Sequence, residues 1–242
     1  MKKCCVLILI MLSTVVALYA STIRITKIQG EVQVRHGLEE GWSLAKAGMN
    51  LEYLDSIMTG PESSVTIETE EGYDFSLGPL SMIDVADLRR LSQREMFLFI
   101  MGQKIERLKP AGEGTKLEIG SVSTVHGENK SSTPVIGSQP DSDEKELNGA
   151  RALQHHRFFT NAIVKYHKML RAHQALAGCG IIQQELAFCF EKIQQPGQAL
   201  DFYLVSRTLL AENPCHLSDS RERLELIDAA LARLKKNQSF DK

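Results

Sequence analysis

Residues 127–143 read GENKSSTPVIGSQPDSD. Gly, Pro and Ser recur through this stretch with scattered charge and no regular apolar period, so it reads as a linker and as the preferred site of proteolysis. The sequence on its two sides differs in kind. Before it, apolar and polar residues alternate between turn signals; from Glu144 onward the apolar residues recur at helical spacing. The linker therefore predicts an all-β domain over residues 22–126 and an all-α domain over residues 144–237. At 242 residues, the chain is long enough for each part to have its own core.

On the β side, Ile23 and Ile25, Val32 and Val34, Val65 and Ile67, and then Tyr73, Phe75 and Leu77 form runs of period two. Gln29-Gly30, Gly60-Pro61, Glu71-Gly72 and Gly78-Pro79 punctuate them with permissive or fixed backbone angles. Residues 96–101, 103–108 and 116–122 are expected to add later strands. Such closely spaced turns point to a sandwich or a barrel-like roll.

The order of Ile28-Gln29-Gly30-Glu31-Val32-Gln33-Val34, Gly41-Trp42, Ala47-Gly48, Leu51 and Asp55-Ser56-Ile57-Met58-Thr59-Gly60 resembles the FecR domain family. Val65-Thr66-Ile67, Glu71-Gly72 and Leu77-Gly78-Pro79-Leu80-Ser81 continue the likeness. It implies a FecR-like β-sandwich or β-roll and a role in the cell envelope or in signalling across the membrane. Residues 117–127 are similar to the family's closing strand, although His126 and Glu128 flank Gly127 where the family carries Arg-Gly-Thr.

The helical side repeats at an offset of 37 residues. Ala150, Leu153, Ala162, Ile163 and Tyr166 recur as Ala187, Phe190, Ala199, Leu200 and Tyr203. Small residues four before an aromatic, and Leu186-Ala187 ahead of Phe190, resemble the tetratricopeptide (TPR) pattern of helix-turn-helix repeats. Alanines let paired helices approach, and the aromatics fill the space beside them. Pro196 falls in a turn, and the three residues beyond the usual period are expected within residues 173–180. A closing helix over residues 219–236, capped by Asp219 with Glu222 three residues on, places Leu224, Ile227, Leu231 and Leu234 on one face. Two repeats are fewer than the three such arrays normally need, so this helix, the β domain or a second copy of the chain should supply the missing cap.

This resemblance implies a groove lined by the first helix of each repeat. Arg151, Gln154 and His155 of the first repeat, with Phe188, Glu191 and Lys192 of the second, are the expected partner-binding residues. The same helix pairing returns Cys215 toward Cys179, which predicts a disulfide between them and a buried Cys189. The alternative is that all three cysteines are small apolar core residues.

Residues 1–20 read as a secretory signal: Lys2 and Lys3 precede an apolar run over residues 6–18, with Ala20 and Ser21 at the cut. Cleavage near Ala20 is expected, with retention as an anchor the alternative. A net charge of −2 argues against a nucleic-acid partner. Seven histidines form no His-Glu-x-x-His or His-x-x-x-His step, and no Cys-x-x-Cys, Gly-x-Ser-x-Gly or phosphate-binding loop is present. Asp55, Asp74, Asp84 and Asp87 read as turn formers, and Trp42 as a core residue. No catalytic residue, metal site or cofactor is therefore expected. The sequence reads as an exported, periplasmic or envelope-associated binding or scaffold protein, with a protein partner on the helices and a cell-wall or envelope component on the β domain. Two rivals are a membrane-anchored sensor and, should two carboxylates face each other across a cleft, a secreted hydrolase.

Overall fold

The alternation at the start of Ile23–Gln29 leaves Ile23 and Ile25 buried on one face and Arg24 exposed on the other, and a register shift after Ile25 then leaves Lys27 exposed. The computed structural model describes residues 22–107, 140–212 and 220–240, which divide into two compact units. The first comprises residues 22–90 and 144–165; the second comprises the other described residues, and the division falls within one helix, between Lys165 and Tyr166.

Eight strands build the first unit: β1 (Ile23–Gln29), β2 (Val32–Arg35), β3 (Ser43–Leu44), β4 (Asn50–Leu51), β5 (Ser56–Thr59), β6 (Ser64–Glu68), β7 (Asp74–Leu77) and β8 (Met82–Asp84). They form two antiparallel four-stranded sheets, ordered β4-β1-β6-β7 and β3-β2-β5-β8. Within the β6–β7 hairpin Val65 pairs with Leu77 and Ile67 with Phe75, so all four side chains share one face. Ile25, Ile67, Phe75 and Leu77 from one sheet and Val34, Ile57 and Ile83 from the other are wholly buried. The chain crosses between sheets at Gly30, whose φ of +73° favours glycine and whose added Cβ would lie 2.4 Å from Ser63 Oγ. That hydroxyl accepts the Glu31 N–H at 2.9 Å. Trp42 is half-buried rather than in the core, with the Arg35 guanidinium 5.3 Å from its ring centre.

Two edges of the sandwich, β7 and β8, are closed by a helix hairpin. Helices α2 (Pro140–His155) and α3 (Phe159–Ala172) meet at a turn whose Phe158 ring packs edge-on to Phe75 at 5.9 Å. Gly149 places α2 directly on the backbone of β8: an added Cβ there would lie 1.9 Å from the Met82 carbonyl oxygen. Next to it, Asn148 Nδ2 donates to Leu80 O at 2.9 Å. In the first turn of α3, Asn161 Nδ2 donates to the carbonyls of Asp87 (2.8 Å) and Arg89 (2.6 Å), capping the 3-10 turn Val85–Leu88. Lys165, only 3% exposed, sets its ammonium 3.0 Å from Asp84, 3.4 Å from Asp87 and 3.7 Å from Glu146. Burial alone would lower its pKa, but the three carboxylates outweigh that and hold it above its ordinary value.

In the second unit α5 (Ile181–Lys192) and α6 (Pro196–Glu212) form another hairpin, and α7 (Ser220–Phe240) packs on α6. The short helix α4 (Gln174–Gly178) precedes them, within the stretch expected to hold the surplus residues. The 37-residue offset is repeated in backbone geometry. Phe158 N–H bonds to Leu153 O and Gln195 N–H to Phe190 O; Arg157 N–H bonds to Gln154 O and Gln194 N–H to Glu191 O. These are the two bonds of a Schellman cap, and its left-handed residue is Arg157 (φ +63°) in one turn and Gln194 (φ +62°) in the other. Ala150, Ala162, Ala187 and Ala199 are wholly buried, as the helix approach requires. Of the face expected on α7, Ile227, Leu231 and Leu234 are buried and Leu224 is half-buried.

Several expectations need correction or fall outside the described residues. Residues 96–101 and 103–107 are not strands but part of helix α1 (Gln93–Arg107). Ser92 and Glu95 form a reciprocal capping box, with Ser92 N–H donating to Glu95 Oε2 at 2.8 Å and Glu95 N–H to Ser92 Oγ at 3.2 Å. Met, Leu, Gln, Arg and Lys then favour the helix it starts. Residues 140–143, placed in the linker, are the first turn of α2, where Pro140 suits the opening position and the acidic residues after it suit the positive helix end. The expected strand over residues 116–122, the rest of the linker, the signal segment and Cys215 lie outside the described residues. Cys179 and Cys189 are both buried.

Two substitutions test the hairpin's attachment. Gly149→Ala gains about 1 kcal/mol of helix propensity, but the methyl group forces α2 away from β8. A net loss of about 1–2 kcal/mol is therefore expected in urea unfolding. Lys165→Met should cost the first unit about 3–5 kcal/mol by leaving Asp87 buried without its cation, and adding Asp87→Leu should restore part of that loss.

Candidate functional site

A groove of about 690 Å³ lies between α5 and α7 in the second unit. Helical spacing puts Gln184, Glu185 and Phe188 on one wall and Arg223, Leu226, Ala230 and Arg233 on the other, with Tyr203 of α6 at the base. Its lining mixes apolar and charged groups. Phe188 and Leu226 remain 37% and 58% exposed there.

Ion pairs bracket this apolar centre. At one end Arg223 bonds to Gln184 and lies 3.8 Å from Glu185. At the other, Arg233 Nη2 bonds to both carboxylate oxygens of Glu191 at 2.8 and 2.9 Å. Tyr203 donates its hydroxyl to the same carboxylate at 3.3 Å. Burial, and then the negative charge of Glu191, push the Tyr203 hydroxyl above its ordinary range, so it remains a proton donor. Lys192 lies with its ammonium 5.0 Å from the Phe188 ring centre. The α5–α6 hairpin behind the groove is held by Phe190 and Phe202, stacked at 5.4 Å with an interplanar angle of 7°.

The six expected binding residues separate between the units. Phe188 lines the groove, Glu191 anchors its end, and Lys192 sits against Phe188. Arg151, Gln154 and His155 belong to the first unit on α2; Arg151 and Gln154 are half-buried, and His155 is exposed against His156 at 5.4 Å. Sequence reasoning missed the second wall. Arg223, Leu226, Ala230 and Arg233 follow one another at steps of three, four and three along α7, a face adjacent to the buried one, and that spacing was the available signal.

The first unit has a concavity of about 520 Å³ beside β4, lined by Leu51, Tyr53, Leu54 and Glu70 among others. Tyr53 donates its hydroxyl to Glu70 there, and Leu54 is 68% exposed. Of the four aspartates read as turn formers, Asp55 is buried and accepts the N–H groups of Gly37 (3.0 Å) and Glu52 (2.9 Å), tying two loops together. Asp84 and Asp87 converge on Lys165 rather than on each other across a cleft. A lysine kept charged in this way has no free pair with which to act as base or nucleophile. Among the described residues no group of three or more His, Cys, Asp or Glu side chains is placed to hold a metal ion.

No family model and no curated protein matches the chain. A solved structure described as a cell surface anchoring domain is 28% identical over 27% of this chain and 84% of its own, with a TM-score of 0.25.

The Tyr203 hydrogen bond can be tested through stability. Tyr203→Phe should lower the stability of the second unit by about 0.5–1.5 kcal/mol in chemical denaturation. Leu226→Ala, at an exposed position, should change it by less than about 0.5 kcal/mol.

Proposed function

We propose that the chain is a non-catalytic, exported binding or scaffold protein of the cell envelope, which takes a segment of a protein partner in the groove between α5 and α7. The observation that carries this reading is the groove itself: an apolar centre at Phe188 and Leu226, held open between two ion-paired ends. Exposed aromatic and leucine side chains in a concave setting are what a partner's apolar residues can cover, whereas paired charges at the margins favour orientation over bulk affinity. The FecR-like order of residues in the β unit and the TPR-like repeat support an envelope protein with a helical binding module. Lys2, Lys3 and the apolar run after them support export. No helix among the described residues is long and apolar enough to cross a membrane.

A photo-crosslinking residue in place of Leu226 should capture a discrete envelope protein, and Phe188→Asp should abolish that product while the far-UV spectrum is kept. The same product obtained with the crosslinker at Leu38, a 92% exposed position on the first unit, would overturn the assignment. The export reading predicts a mature N terminus near Ser21 by N-terminal sequencing of the secreted or periplasmic fraction.

A further inference from the structure

We propose that His156 is an acid-opened clasp between the α2–α3 turn and the outer edge of β7. Strand β7 ends its sheet, so its outward backbone groups have no neighbouring strand to bond. His156 takes that place at Ser76: its Nε2 lies 3.0 Å from Ser76 N and 3.1 Å from Ser76 O. The imidazole also packs on the Phe75 ring, 4.5 Å between centres, beside the edge-on contact of Phe75 with Phe158. A single side chain thus joins the helix turn to both the backbone and the core-facing ring of the edge strand.

One nitrogen cannot accept and donate at once. With the ring neutral and its proton on Nδ1, Nε2 accepts the Ser76 N–H. Once the ring is protonated, Nε2 carries a hydrogen and can only donate to the Ser76 carbonyl, leaving the Ser76 N–H facing another donor. The surroundings favour the neutral ring. Burial lowers the His156 pKa from its ordinary 6.5, and the opposing bond to Ser76 does not restore it. Of the titratable groups around it, His155 on the same turn disfavours a second positive charge. From the sandwich side, Arg90 lies over Phe158 with its guanidinium 4.2 Å from the ring centre and supplies no counter-charge. Asp74, two residues before Ser76 on β7, is exposed to solvent.

The sign follows from linkage. The released turn binds a proton near pH 6.5, and the docked turn only at lower pH, so docking is fully favoured above pH 6.5 and weakens as pH falls below it. Acid would then free the Ser76 edge for water or for another strand.

Amide hydrogen exchange of Ser76 in the intact chain, corrected for its intrinsic pH dependence, reads the clasp directly. Its protection is expected to fall by up to about tenfold per pH unit below 6.5. His156→Gln, uncharged throughout, should remove that slope. An NMR titration of the wild-type ring gives a readout that needs no variant. Unchanged Ser76 protection between pH 7 and 5, a ring titrating at or above 6.5, or an equal slope in His156→Gln would each overturn the proposal.

Discussion

Everything attached to the sandwich edge depends on one buried charge. Lys165 carries an ammonium into a site almost closed to water, where an unpaired cation would be driven to lose its proton. Asp84 and Asp87 come from the end of β8 and the 3-10 turn after it, Glu146 from α2, and Lys165 itself from α3. Four segments of chain must be in place before the charge is compensated. Apolar packing, by contrast, tolerates sliding; a cation held among three carboxylates does not. Gly149 and Asn148 act at the other end of the contact, one by its lack of a side chain and the other by bonding a specific carbonyl. The result fixes the register of the hairpin against β8.

The helices of each unit are covered by a different neighbour. A helix hairpin needs its apolar outer face covered, and each unit does this within itself. Within the first unit the sandwich packs on α2 and the start of α3; within the second, α7 packs on α6 through Ile227, Leu231 and Leu234.

What could be read in the sequence followed from local rules. Alternation at Ile23 and Ile25, Val65 and Ile67, and Phe75 and Leu77 marked strands because each strand has one buried face. The 37-residue offset marked the repeat because each turn demands the same cap and each helix pair the same alanines. The run at residues 96–101 has no alternation and fits a buried strand or a helix equally well; only Ser92 and Glu95, three residues apart, separated the two. Asp84 and Lys165 lie 81 residues apart, and no spacing rule joins them. The groove was half legible for a similar reason: Phe188 belonged to a recognised repeat, whereas Leu226 stands on a helix read only as a cap.

Because the two hairpins share their turn geometry, the first helix of each can be compared residue by residue. Asn148 corresponds to Glu185 under the 37-residue offset. On α2 that position holds the carbonyl of Leu80 in the bend between β7 and β8, whereas on α5 it lines the groove. The same helix position thus serves two ends: in one hairpin it ties the helix to a neighbouring backbone, and in the other it helps to shape a groove.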